Sequence, residues 1–160
     1  FLPSVGLFSH LGVLAMAMAA SICLFVATTP AVLRQDRALL LFAGGMTGWL
    51  ALDDLFLLHE SVLPRLAGIP ENAALGFYVV LGLGLFRQIG RRVFSQRFLG
   101  LWVATAFLCV MLATDLAFHV ATSPSFLVEE VAKQCGWMTW AAFWIAFARQ
   151  SLPRPAARVS

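Results

Sequence analysis

Long apolar runs, broken at four places by short polar or Gly/Pro-containing segments, organise this chain. The runs cover roughly residues 5–27, 38–58, 73–86, 98–120 and 126–148. The interruptions read TTPAVLRQDR, SVLPRLAGIPEN, RQIGRRVFSQR and ATSPS. Each carries Pro, Gly or clustered charge of the kind that ends helices and makes turns. An apolar run of about 20 residues matches the hydrocarbon thickness of a bilayer. In lipid every backbone N–H and C=O needs an internal partner, which makes such a run a helix. Strands of a membrane barrel would alternate polar and apolar positions over about ten residues, and these runs do not. The pattern predicts an all-α integral membrane bundle of five transmembrane helices, a single domain over residues 1–160. The third run is the shortest and contains LGLGLF, so its ends are the least defined.

Composition strengthens this picture. Hydrophobic residues make up 61% of the chain and charged residues 12%, against about 45–50% and about 25% in soluble domains. That is more apolar surface than one soluble core can hide. Arginine outnumbers lysine ten to one, and the basic residues cluster between runs. A pI of about 9.2 therefore reads as a topology signal and not as nucleic-acid binding. With five spans, Arg34, Arg37, Arg87, Arg91, Arg92, Arg97, Arg149, Arg154 and Arg158 share one side, and Arg65 alone lies on the other. The positive-inside rule then places the C-terminus in the cytoplasm and the N-terminus outside. Arginine-rich composition and compact loops point to a bacterial inner membrane. The first run lacks a basic n-region, which argues against a cleaved signal peptide. Cys23, Cys109 and Cys135 stand singly in apolar runs, as small hydrophobes rather than a disulfide or redox motif.

Orientation turns sequence position into depth. At about 1.5 Å of rise per residue, Asp53 and Asp54 lie roughly 22–24 Å along the second helix from its basic end. His59 and Glu60 follow near its outer end. Asp115 lies about 25 Å along the fourth helix, with His119 one turn beyond. Glu129, Glu130 and Lys133 open the fifth helix, and His10 lies early in the first. Six of the eight acidic residues, all three histidines and the only lysine thus fall in one outer layer.

An ionised group in a bilayer costs at least about 2.5–3.5 kcal/mol unless paired or hydrated. Protonation, entering water or a bound cation would each relieve that cost. Carboxylates with imidazoles suit Zn, Fe or Mn. Asp54, His59, Asp115 and His119 are the candidate metal ligands. Asp115 and His119 share a face at i, i+4, whereas Asp54 and His59 converge only if the helix ends or unwinds between them. Glu130 is the candidate general base and Lys133 the candidate electrostatic stabiliser.

Plainer roles stand beside these. Acidic residues suit a first helical turn, with Ser123 or Ser125 as cap and Pro124 at the first position. Glu129 and Lys133 suit an i, i+4 ion pair. His59, Glu60 and His119 suit a wet interface, and His10 a hydrogen-bonded or interfacial one. Trp137, Trp140 and Trp144 form a stripe that reads first as a packing surface for lipid or a neighbouring helix. No Cys-x-x-Cys-His, nucleotide-binding glycine loop, Gly-x-Ser-x-Gly or zincin motif is present.

DDLFLLHE, an Asp-x-x-x-His helix and the EEVAK helix together resemble the ceramidase-like membrane hydrolases in residue types and layout. That resemblance implies a zinc, gathered from several helices, that activates water for attack on a lipid amide. The chain has two spans fewer than that family and lacks its His-x-x-x-His pair on a late helix, so no residue role is carried over. Two function classes follow. One is a metal-dependent membrane hydrolase or oxidase acting on a lipid. The other is a non-catalytic accessory subunit of a larger energy-transducing membrane complex, whose polar layer binds helices together. Proton or cation transfer is a third and weaker class, because the inner half of the bundle offers no titratable groups to continue a path.

Overall fold

The structure, a computed structural model, describes residues 3–117 and 123–153. These residues form five α-helices, with no strand among them: α1 Pro3–Ala27, α2 Arg34–Phe56, α3 Glu71–Ile89, α4 Leu99–Ala117 and α5 Ser123–Ser151. Each of the five apolar runs has become one helix. A π-helical segment, Leu58–Ala67, follows α2, and two short 3-10 turns, Gly90–Phe94 and Gln96–Phe98, join α3 to α4.

Three helical stretches are long and apolar enough to cross a membrane: His10–Ala27, Arg34–Phe56 and Gln96–Thr114. Ala73–Ile89 is apolar but shorter. At 29 residues α5 has ample length, but Glu129, Glu130, Lys133 and Gln134 make its first turns polar.

Helix ends account for most departures from the sequence pattern. The helix α2 starts at Arg34, four residues before the apolar run, because Arg34, Gln35, Asp36 and Arg37 form a polar first turn. Asp36 suits the positive helix end and also takes Arg92 Nη2 at 2.8 Å. The same helix stops at Phe56, two residues early. There Leu57 enters the left-handed region at φ 51° and its N–H bonds Asp53 O. Gly68, at φ 64°, closes the π-helical segment. Gly90, at φ 59° and ψ −141°, closes α3 in a conformation open to glycine and costly for other residues.

In the bundle α1 runs between α2 and α5, α4 lies along α5, and α3 rests mainly on α2 and the π-helical segment. The main core gathers Cys23, Leu39, Leu40, Leu85, Phe98 and Leu101 around Trp140, Trp144 and Phe147. A smaller cluster, Val13, Met16, Ala51 and Trp137, lies nearer the polar end. The tryptophan stripe of α5 is thus a helix-packing surface. It is pinned by a buried hydrogen bond from Trp140 Nε1 to Thr47 Oγ1 at 2.9 Å. Two glycines permit close approach: a Cβ on Gly44 would stand 2.9 Å from Leu24 Cγ, and one on Gly136 2.8 Å from Leu108 Cδ2.

Candidate functional site

The last turn of α2 carries Asp53 and Asp54. Consecutive helical residues point about 100° apart, so the two carboxylates meet different partners. Asp53 is only 3% exposed. It turns toward the chain that leaves α2, where its Oδ1 accepts the His59 backbone N–H at 2.9 Å and its Oδ2 stands 2.6 Å from His59 Nδ1. These two hydrogen bonds close the left-handed turn at Leu57, an unfavourable conformation for a side chain of that size. The ring of Tyr78, on α3, meets His59 edge-on, with centroids 6.0 Å apart and planes at 88°. The Tyr78 hydroxyl is buried near Asp53 and Trp49 without hydrogen-bonding geometry to either.

Asp54 turns toward α5 instead, where its Oδ1 lies 2.5 Å from Lys133 Nζ. Both side chains are largely enclosed, at 10% and 19% exposure. Glu130 precedes Lys133 by three residues and so shares its side of α5. Two buried carboxylate oxygens here, Asp54 Oδ2 and Glu130 Oε2, have no hydrogen-bond partner. One turn further along, Gln134 Nε2 and Trp137 Nε1 are buried donors in the same condition. An unmet buried polar group costs about 1–3 kcal/mol, and more when charged. These atoms therefore favour a ligand, ion or water that satisfies them.

The expected convergence of Asp54 and His59 required α2 to end between them, and α2 does end there. The turn nevertheless delivers His59 to Asp53, so Asp53 replaces Asp54 as the histidine's partner, and Asp54 is committed to Lys133. The other two proposed ligands, the Asp115 side chain and His119, lie outside the described residues, as does the Glu60 side chain. Among the described residues no three of His, Cys, Asp and Glu are grouped to hold a metal ion. His10 is exposed on α1. Sequence reasoning placed Asp53 in the polar layer without a role and passed over Tyr78. The available signals were an Asp six residues ahead of a His across a helix end, and the chain's single tyrosine within an otherwise apolar helix.

Chemically, the Asp53 bond selects the histidine tautomer. With Nδ1–H donated to the carboxylate, the neutral ring carries its lone pair on Nε2. This is the arrangement in which a carboxylate orients a metal-bound or proton-accepting imidazole. Lys133 neutralises one oxygen of Asp54 and leaves the other as an acceptor.

No curated protein and no solved structure matches the chain. Residues 2–147 match a family described as a domain of unknown function, DUF8692, and the chain, with its all-helical fold and paired aspartates, belongs to that family.

Proposed function

We propose that this is a polytopic membrane protein of five spans, with its N-terminus outside and its arginine-rich end in the cytoplasm of a bacterial inner membrane. Its polar site near the outer face binds a divalent metal, Zn, Fe or Mn, for hydrolysis or oxidation of a lipid. The carrying observation is the Asp53–His59 pair, which orients an imidazole as metal ligands are oriented; Asp54 Oδ2 and Glu130 Oε2 are separate buried oxygens without a hydrogen-bond partner. In this reading His59 ligates through Nε2, Asp53 holds it in place, and Asp54 Oδ2, Asp115 and His119 complete the candidate donor set. Glu130 is the candidate base for a metal-bound water, and Lys133 balances the carboxylate charge. The metal supplies Lewis acidity and a nucleophilic water.

Elemental mass spectrometry on protein extracted in mild detergent, without chelator or affinity-metal exposure, is the test. Near-stoichiometric Zn, Fe or Mn, lost in a His59→Ala, Asp115→Ala variant that still folds, is the expected result. Intact, well-folded protein without metal overturns the reading.

A second reading, an accessory subunit of a larger membrane complex, draws on a different observation. An open apolar groove between α1 and α2 has a floor of Ala17, Ala20, Ser21, Gly48 and Ala51 among larger Val13, Leu24, Leu52 and Leu55, and small residues of this sort let membrane helices approach closely. Stable co-migration with other membrane proteins after mild extraction, together with poor stability alone, would favour it.

A further inference from the structure

The end of the bundle remote from Asp53 and Asp54 has a surplus of positive charge among the described residues. Arg34, Arg37, Arg87, Arg91, Arg92, Arg97 and Arg149 all lie there by their places in the helices. Among the described residues Asp36 is the one carboxylate at this end, and Arg92 engages it. Arg37 is also occupied internally, donating to the Thr29 and Pro30 carbonyls at 3.2 and 3.1 Å. Arg87 and Arg97 are exposed on either side of the 3-10 turns that join α3 to α4.

This elbow is held from within. Phe98, 1% exposed, is wedged against Phe143 and Phe147, and the Arg97 guanidinium lies 4.4 Å from the Phe147 ring centre. The Ser95 hydroxyl bonds Arg92 O at 2.8 Å. What the elbow presents outward is apolar: Phe94 is 82% exposed, Leu99 64% and Trp102 41%. Phe86, Phe94 and Trp102 form one aromatic cluster, with Trp102 lying 5.5 Å from Phe86 and 6.3 Å from Phe94. A fixed aromatic wedge between arginines at a membrane boundary combines two features that recognise an anionic bilayer surface. Aromatic rings sit at headgroup level, and basic residues near the surface are attracted to acidic lipid.

We infer that the 3-10 elbow between α3 and α4 is a docking site for an anionic phospholipid, with Arg87 and Arg97 meeting the headgroup phosphate and Phe94, Leu99 and Trp102 meeting its acyl chains. The occupant must supply negative charge and hydrocarbon together, and a membrane lipid supplies both. This inference rests on the membrane-spanning part of the proposed function but not on its metal site.

Trp102 reports on the site, because Trp137, Trp140 and Trp144 are buried and Trp49 can be replaced. The full chain carrying Trp49→Phe is reconstituted into phosphatidylcholine vesicles containing phosphatidylglycerol, with bromine on the acyl chains of one lipid or the other at equal mole fraction. Brominated phosphatidylglycerol is expected to quench Trp102 several-fold more than brominated phosphatidylcholine. Arg87→Gln with Arg97→Gln should abolish the difference, whereas Arg34→Gln with Arg149→Gln at the same end should retain it. Should the double variant fail to incorporate, Arg87→Gln and Phe94→Ser, both changing exposed side chains, carry the same test. Equal quenching by the two lipids overturns the inference, as does a preference that survives loss of both Arg87 and Arg97. A preference erased by added inorganic phosphate also overturns it, since the site would then hold a free anion. Failure of the unmodified chain to enter vesicles would instead count against the membrane-spanning reading.

Discussion

Asp53 and Asp54 are chain neighbours with separate tasks. Asp53 organises the turn at Leu57 and orients His59, while Asp54 ties α2 to α5 through Lys133. Asp54 and Lys133 are largely enclosed, and removing one member of such a pair strips the other of a counter-charge, at a cost toward the lower end of the about 3–5 kcal/mol of a fully buried pair. Lys133→Met is therefore expected to lower thermal stability in detergent markedly, and adding Asp54→Leu to recover much of the loss. A double variant less stable than Lys133→Met would show that the pair is not the source of the effect. Asp53→Asn keeps an acceptor for the His59 N–H but removes the charge that orients the ring. If His59 is a ligand, this change should weaken Zn binding by about 10–100-fold, the usual cost of losing a carboxylate behind a metal-bound histidine. Unchanged zinc affinity in a titration would remove Asp53 from the site. That the end of α2 and the start of α5 bring Asp54 and Lys133 to one level was legible in the sequence, because position along a helix follows from its rise. The choice between Asp53 and Asp54 was not, since it depends on the φ of Leu57 and on where the chain leaves α2.

Helices α1 and α2 pack closely at Gly44, where an added Cβ would stand 2.9 Å from Leu24 Cγ and 3.1 Å from Cys23 Cβ. Adjacent Gly45 has nothing within 4 Å. The two glycines should therefore respond with opposite sign. Overfilling a packed contact costs about 1–3 kcal/mol, so Gly44→Ala should destabilise the bundle. Gly45→Ala should stabilise it by up to about 1 kcal/mol through helix propensity. Unfolding of both variants in mixed detergent measures the contrast, and the same sign at both positions would refute the close packing. The tryptophan stripe of α5 belongs to this level too. Its period marked a packing surface, and Thr47 supplies the acceptor for Trp140, which a helical period cannot reveal.

Among the described residues most arginines lie at one end of the helices, where Asp36 is paired with Arg92, and Asp53, Asp54, His59, Glu130 and Lys133 lie toward the other, with Arg65. Under the proposed orientation Leu66, 84% exposed in the π-helical segment, lies outside, and Phe94 lies in the cytoplasm. In a chain with Cys23, Cys109 and Cys135 replaced by Ala, Leu66→Cys should react with an impermeant maleimide in intact cells. Phe94→Cys should react only after permeabilisation. The reverse pattern would invert the topology, and labelling of both from one side would rule out an odd number of spans between them.

Hydrophobic patterning was sufficient for the number and order of the helices and for the all-α class, because an apolar run of that length has few other ways to satisfy its backbone. It was also sufficient to bring Asp54 and Lys133 to the same level of α2 and α5, since rise per residue is nearly constant. Pairing inside the polar layer came from tertiary contacts. Asp53 faces His59 because α2 breaks at a left-handed Leu57, and Asp54 faces Lys133 because α5 comes close enough to the end of α2. Both outcomes depend on helix termination and interhelical geometry, which arise from contacts far apart in the chain and leave no period in it.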